Sequence, residues 1–342
     1  DDDGNLHINV SPGTPAMHSV WLILHAGGAL PEGAQLWSSQ YSRETKRTRI
    51  DPVNFSITTY LAEIHRFARI EPGLAVYEPQ ARSAARRTAF EHLARYARVI
   101  GAPLLILGER GTGKTRLVET MVATLKGRKK IVAVPCGGLD SALAESLLFG
   151  HRKGAFTGAA AERRGLLAEA GGGILFLDEV QDLPKSAQRM LVRVFQDRQR
   201  RYRPVGSDRE VSVDVELVCA SNLPLTELRE RLDADLFDRL SHLSVTVPPL
   251  RECREDIEQD WRQVWRESRQ REDLPEDAPW SRDLEQTLRD SALPGNLRDL
   301  QRLAVLCMAW WSSPDLSKGI RAALVEWQRF NSAQKHERNA LG

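Results

Sequence analysis

The most constraining feature of the chain is a glycine-rich octet, Gly108-Glu109-Arg110-Gly111-Thr112-Gly113-Lys114-Thr115, set directly after the apolar run Leu104–Leu107. The octet fits the pattern G-x-x-x-x-G-K-[ST], and the apolar strand before it is the context that gives the pattern meaning. Its glycines let backbone N–H groups approach an anion, and the helix expected after it presents its N-terminus. Lys114 adds a positive charge, and Thr115 a hydroxyl for a divalent cation. Such a loop needs a strand and a helix to hold it from both sides, so the octet demands an α/β core.

The rest of the chain agrees. From Leu104 onward short apolar segments alternate with helical ones, and strands are expected at Leu104–Leu107, Ile131–Val134, Ile174–Leu177, Val215–Ala220 and Leu243–Val247. Alternation of this kind predicts a parallel sheet covered by helices. After Pro248-Pro249 the sequence turns charged and Trp-containing, with helical stretches at about 255–270, 281–291 and 296–311, which read as a small separate helical domain. Upstream, 79–100 reads as a helix with Phe90, Leu93, Ala94 and Ala97 on one face. The expected division is 1–65, a linker with a helix over 66–100, an α/β unit over 101–250, a helical unit over 251–311 and a tail over 312–342. In the tail, Ile320, Leu324, Trp327 and Phe330 suit one helix.

Residues 1–65 begin with an apolar strand over His7–Val10, then Ser11-Pro12-Gly13-Thr14-Pro15, a helix-like run from Met17 to Ala26, and a strand at Leu36-Trp37. Strand, glycine turn, helix and strand is an α/β pattern. It is short for an independent domain, and the chain does not begin with Met, so it reads as the end of a larger unit. Residues 40–52, with Arg43, Lys46, Arg47 and Arg49, read as a polar loop. His18 and His25 read as packing or surface residues.

Composition excludes several classes. No stretch of the 342 residues approaches the roughly 20 apolar residues of a membrane helix, so no membrane partner is expected. The acidic start is no signal peptide. The four cysteines, Cys136, Cys219, Cys253 and Cys307, are scattered, form no C-x-x-C pair and require no disulfide, which fits a reducing cytoplasm. A net charge of +2 gives no global steering toward nucleic acid.

Two further motifs carry chemistry. Asp178 and Glu179 end the strand Ile174–Leu177. Beside a phosphate loop, Asp178 would hold Mg²⁺ with Thr115, and Glu179 would polarise an attacking water, the roles that ATP hydrolysis requires. Between the two motifs lies Gly154-Ala155-Phe156-Thr157-Gly158-Ala159. An apolar Phe between flanking glycines, on a loop inserted into the core, reads as a moving finger that needs a partner to bury against.

This order of motifs resembles the AAA+ ATPase domain of the bacterial sigma-54 activators, or enhancer-binding proteins, over roughly residues 80–311. The resemblance implies an AAA+ parallel sheet with a C-terminal helical lid, binding ATP and Mg²⁺ at Gly108 to Thr115. It implies that the Phe156 loop grips the sigma factor of the sigma-54 RNA polymerase holoenzyme. Ser221-Asn222 resembles the polar sensor beside the terminal phosphate, and Pro294-Gly295-Asn296-Leu297-Arg298 the second sensor, with Arg298 reaching the nucleotide from the lid. Asp235-Leu236-Phe237-Asp238-Arg239-Leu240 resembles the arginine-finger segment. Arg239 would act in trans, which implies a homo-oligomeric ring, with a hexamer as the expected form.

Two positions depart from the family pattern. Asp233 stands at its other finger position, with Arg231 two residues away. Pro135 stands where the family has an Asn that restrains the catalytic Glu, so that relay is absent here or runs through another group. Promoter-upstream DNA is a family partner, but no helix-turn-helix reads from 312–342.

The segment Asn9 to Met17 resembles the ligand loop of CARF domains, the Rossmann-like sensors of CRISPR-associated proteins. A CARF-like domain fused to a sigma-54 ATPase is the arrangement of the RtcR-type regulators of RNA-repair operons. The resemblance implies an RNA end or a cyclic oligoadenylate as ligand, held at Ser11, Gly13 and Thr14. The leading reading is a ring-forming ATPase that remodels sigma-54 RNA polymerase under control of an RNA-type sensor. Two others stay open: a nucleotide-binding scaffold with weakened hydrolysis, and a different AAA+ remodeller of chelatase or helicase-loader type.

Overall fold

The computed structural model describes residues 7–9, 35–42, 47–52, 69–70, 81–139, 143–156, 159, 161–269, 274–311 and 319–329. At the N-terminal end, β1 (His7–Asn9) pairs in parallel with β2 (Gln35–Ser42), a pairing that requires a crossover connection between them. β3 (Arg47–Pro52) then runs antiparallel to β2, in register from Trp37↔Pro52 to Ser42↔Arg47. This corrects the loop expected over 40–52. Its charged positions alternate with Thr48, Ile50 and Pro52, and a ladder formed by backbone groups tolerates that polarity. The helix expected over Met17 to Ala26, and His18 and His25, lie outside the described residues.

The linker holds a second surprise. Arg69–Ile70 forms β4, an antiparallel edge strand on the main sheet, where no strand was expected. Two residues carry too little apolar pattern to be read from sequence. The chain then continues through helix α1 (Ala84–Ala97), β5 (Leu104–Leu107), α2 (114–125) and β6 (Ile131–Pro135). Helix α3 (Ala144–Phe149), the hairpin β7 (Gly150–His151) and β8 (Arg163–Arg164), and α4 (Leu166–Glu169) follow. Next come β9 (Ile174–Asp178), α5 (Lys185–Gln196), a second hairpin of β10 (Arg201–Tyr202) and β11 (Val211–Ser212), and β12 (Glu216–Ser221). Helices α6 (Leu225–Arg231) and α7 (Ala234–Ser241) lead to β13 (Ser244–Thr246).

The main sheet has the order β13-β5-β12-β9-β6-β4, its first five strands parallel. Successive side chains on a strand point to opposite faces. Leu105, Leu107, Leu175, Leu177, Leu217 and Cys219 therefore face one core with α3, α4, α5 and α7. Leu104, Ile106, Ile174, Phe176, Val218 and Ala220 face the other, under α1 and α2. Burial on both faces explains why these strands read as continuous apolar runs. Strand positions in this core fall within two residues of the expected ones, with Asp178 and Ser221 drawn into the strand ends, while the helix expected over 79–100 is shorter, at Ala84–Ala97.

Beyond β13 the chain forms a helical unit of α8 (Ile257–Ser268), α9 (Arg282–Asp290) and α10 (Leu297–Ala309), with a further helical stretch over 319–329. Its core holds the fully buried Trp261, Trp265 and Trp327. A buried polar joint fastens this unit to α1. Ser83 Oγ donates to Asp256 Oδ2 at 2.5 Å, and Arg86 Nη1 to Asp260 Oδ2 at 2.7 Å. No helix among the described residues is long and apolar enough to cross a membrane.

Candidate nucleotide site and phenylalanine loop

Strand β5 and helix α2 hold the phosphate loop as its sequence demands. Gly111 and Gly113 take φ of 77° and 86°, which glycine adopts without strain. A Cβ at Gly111 would lie 2.1 Å from the Gly295 carbonyl oxygen, so only glycine lets the loop meet the helical unit. Helix α2 widens into a π turn over Val118–Val122, one turn beyond the loop.

Lys114 is buried, and its ammonium donates to the carbonyls of Gly108 at 2.7 Å and Glu109 at 3.0 Å. Burial pushes its pKa below the ordinary lysine value; Asp178 and Glu179 oppose this, while Arg298 and Arg110 add to it. An anion entering the loop would relieve that strain on the charge. Thr115 Oγ1 lies 3.3 Å from Asp178 Oδ2. A hydroxyl and a carboxylate side by side are hard oxygen donors of the kind Mg²⁺ takes, with phosphate and water completing its shell. The described residues contain no cluster of three or more His, Cys, Asp or Glu that could hold a metal alone. The donor set thus fits a cation that arrives with a polyphosphate.

A cavity of about 280 Å³ gathers Arg110, Gly111, Gly113, Lys114, Thr115, Asp178, Glu179, Asn222 and Arg298. Nine of the residues singled out in the sequence thus meet in one place. Gly108, Glu109 and Thr112 do not line it. The Glu109 carboxylate is instead engaged by Arg251 at 2.7 and 2.5 Å, and Thr112 Oγ1 donates to the Glu109 carbonyl at 2.9 Å.

Glu179 follows the strand end in a left-handed conformation, φ 53°, with its amide bound to Asp178 Oδ1 at 3.0 Å. Arg110 Nη2 forms an ion pair with Glu179 Oε1 at 3.4 Å. Pro135 lies in register with Asp178.

Gln181 was not singled out from the sequence, yet it organises the sensor strand. Ser221 Oγ donates to Gln181 Oε1 at 2.7 Å, and Gln181 Nε2 donates to Asn222 Oδ1 at 3.1 Å. Asn222 also lines the cavity. Asn296, fully buried at φ 54°, was likewise read only as part of the second-sensor segment. Its Oδ1 accepts from the Leu250 amide at 2.7 Å, and its Nδ2 donates to the Arg110 carbonyl at 3.0 Å. The Leu297 amide donates to the Gly111 carbonyl at 3.0 Å. These bonds seat the helical unit on the phosphate loop and bring Arg298 into the cavity.

Arg239 lies apart, half-buried on α7, where Nη1 donates to the Phe195 carbonyl at 3.5 Å. It does not line the cavity of its own chain. Asp233 caps α7, its side chain accepting from the Asp235 amide at 3.2 Å. An N-cap wants a short oxygen-bearing side chain, which explains an Asp there. Arg231 is exposed at the end of α6.

The phenylalanine loop rises from the β7–β8 hairpin. Gly154 takes φ 81°, and its amide donates to the Ala159 carbonyl at 2.8 Å, closing the base of the loop. Phe156 is 38% exposed but not without a partner: its ring meets His151 edge-on, centroids 4.9 Å apart. The expectation that it needs an outside partner to bury against is corrected to this extent. His151 in turn bonds Ser146 Oγ through Nδ1 at 2.6 Å. Ala155 packs against Gly206 of the segment joining β10 and β11, where a Cβ would lie 2.6 Å away. That second hairpin, unread in the sequence, braces the first. Ala159 is buried, and Thr157 and Gly158 lie outside the described residues. Ser11, Gly13 and Thr14 also lie outside them.

Numbered along the chain, the five parallel strands have the order 5-1-4-3-2, with the phosphate loop on the first, acidic residues ending the third and a helical unit folded back on the loop. This is the α/β fold of the AAA+ ATPases. Residues 80–246 match the family described as the Sigma-54 interaction domain. The transcriptional regulatory protein GlrR of Escherichia coli K12 is 38% identical over 226 residues, 65% of this chain and 49% of that protein. The response regulator protein PilR of Pseudomonas aeruginosa is 39% identical over 207 residues, 59% of this chain and 45% of that protein. The chain therefore spans about half the length of these relatives. The crystal structure of NtrX from Brucella abortus in complex with ATP shares the fold, with a TM-score of 0.59 at 22% identity, covering 92% of this chain and 68% of that one.

Proposed function

We propose that the chain binds ATP with Mg²⁺, hydrolyses it, and uses the cycle to remodel the sigma-54 RNA polymerase holoenzyme. The observation that carries this reading is the convergence of Lys114, Thr115, Asp178, Glu179, Asn222 and Arg298 on one cavity. The loop amides and Lys114 hold phosphate oxygens, and Thr115 and Asp178 hold the cation. Bound Mg²⁺ supplies charge neutralisation across the terminal phosphates. Glu179 polarises the attacking water, with Asn222 beside the terminal phosphate. Arg298 answers nucleotide from the helical lid over 251–311. Arg239 completes the site of a neighbouring copy, which makes the working form a ring, a hexamer by family resemblance. The match to the Sigma-54 interaction domain and the exposure of Phe156 support that loop, Gly154 to Ala159, as the contact with the sigma factor. Promoter-upstream DNA and a cytoplasmic location belong to the same reading.

The test is a pair of variants. Lys114→Ala is expected to abolish ATP binding, and Glu179→Gln to preserve binding while stopping turnover. Equal ATPase rates for the original protein and Glu179→Gln would overturn the assignment.

We further assign residues 1–65 to a CARF-like sensor of the RtcR type. It would bind an RNA bearing a terminal or cyclic phosphate, or a cyclic oligoadenylate, at Ser11, Gly13 and Thr14. The parallel pairing of β1 and β2 supports a crossover α/β arrangement there. Calorimetry with both ligand classes, on the protein and its Ser11→Ala/Thr14→Ala variant, tests it. Absence of binding to either class would sink the sensor and leave the ATPase reading standing.

A further inference from the structure

Glu179 is held by its backbone but hardly by its side chain. The amide bond to Asp178 fixes the turn, while the side chain stays 36% exposed. The neighbouring strand β6 gives it no donor. Pro135, in register with Asp178, has neither a side-chain donor nor an N–H. Gly137 passes so close that a Cβ there would lie 3.1 Å from Glu179 Oε2, yet it too lacks a donor side chain. The ion pair given to this carboxylate among the described residues comes from Arg110, at the apex of the phosphate loop. The Arg110 carbonyl is in turn gripped by Asn296 of the helical unit. One residue thus touches the base, the loop and the lid.

We propose that Arg110 is a positioning residue for Glu179, and that the terminal phosphate of a bound nucleoside triphosphate competes with Glu179 for its guanidinium. The proposal rests on the ATPase reading above. A guanidinium presents a planar fork of N–H donors that matches a carboxylate or a phosphate, but one fork serves one partner fully. Paired with Arg110, Glu179 is drawn toward the loop. With the guanidinium turned to a phosphate, the carboxylate is released to take a water. The base is then idle until the loop is loaded, and movement of the lid at Asn296 shifts the residue that makes the choice.

The side chains of Arg110 and Glu179 are 65% and 36% exposed, so solvent screens the pair and its coupling stays within about five-fold. The test is a double-mutant cycle on the intact chain: Arg110→Ala, Glu179→Gln and both together. The readout is affinity for a non-hydrolysable ATP analogue and, separately, for ADP. With the analogue, Arg110→Ala is expected to weaken binding about two- to five-fold more in the Glu179→Gln background, where the guanidinium is free for phosphate. With ADP the two substitutions are expected to act independently. Arg110→Lys, which keeps the charge but not the fork, is expected to retain part of the coupling. Additive effects with the analogue, or equal coupling with ADP, would overturn the proposal. ATP hydrolysis by the unsubstituted chain is measured alongside. Its absence would sink the ATPase reading whatever the cycle shows, and hydrolysis with an additive cycle would sink this proposal alone.

Discussion

Asn296 is the position where a single substitution separates two physical effects. The residue is fully buried and adopts φ 54° and ψ −126°, a region that favours glycine. Asn296→Ala removes the partner of the buried Leu250 amide and one partner of the Arg110 carbonyl. An amide left unpaired in the interior costs about 2 kcal/mol, and a carbonyl that water can reach about 1 kcal/mol. Alanine held at positive φ adds about 1 kcal/mol of backbone strain. Asn296→Gly loses the same hydrogen bonds without the strain, so about 3 kcal/mol is expected for Gly and about 4 kcal/mol for Ala. Guanidinium denaturation followed by tryptophan fluorescence suits the measurement, because Trp261, Trp265 and Trp327 sit in the core of the helical unit. Both variants are expected to weaken nucleotide binding, since Arg298 enters the cavity two residues further on. A Gly variant no more stable than the Ala variant would refute the backbone argument. Losses below about 0.5 kcal/mol in both would refute the hydrogen-bond argument.

Three further outcomes are expected. ATPase activity rises steeply with protein concentration, and Arg239→Ala subunits mixed into the unsubstituted protein lower activity out of proportion to their fraction; a rate per chain independent of concentration would exclude action in trans. Phe156→Ala keeps ATP turnover within a few-fold and abolishes open-complex formation on a sigma-54 promoter; retained open complexes would refute the assignment of the loop. Lys126→Met leaves Glu216, buried at the start of β12, without its 2.8 Å partner, at a cost of about 3 kcal/mol in a urea titration; a loss under about 1 kcal/mol would show that the Gly101 amide and Arg128, which also engage Glu216, suffice.

The phosphate loop, the acidic pair and the five parallel strands were legible because each is written in a few adjacent residues. Four or five apolar residues in a row, buried on both faces, give the strands away without any knowledge of their neighbours. The polar hairpin β2–β3, the two-residue β4 and the hairpin β10–β11 were not legible, since backbone pairing with a distant partner defines them rather than an apolar pattern. Pro135 and Asp233 stood out as departures in the sequence, but their surroundings did not. Only the fold gives Asp233 its part as the cap of α7 and puts Arg110 beside Glu179.

The sequence by itself singled out the candidate groups for phosphate, cation and water, because G-x-x-x-x-G-K-T and Asp178-Glu179 each place their chemistry on one loop or one strand end. Tertiary structure alone decided how those groups are restrained. Asn296 reaches the phosphate loop across 187 residues, Gln181 reaches Asn222 across 41, and Arg110 meets Glu179 from a different strand end. A hydrogen bond or ion pair depends on separations of about 3 Å. Strand order and the docking of the helical unit set those separations, and no local pattern of residue types records them.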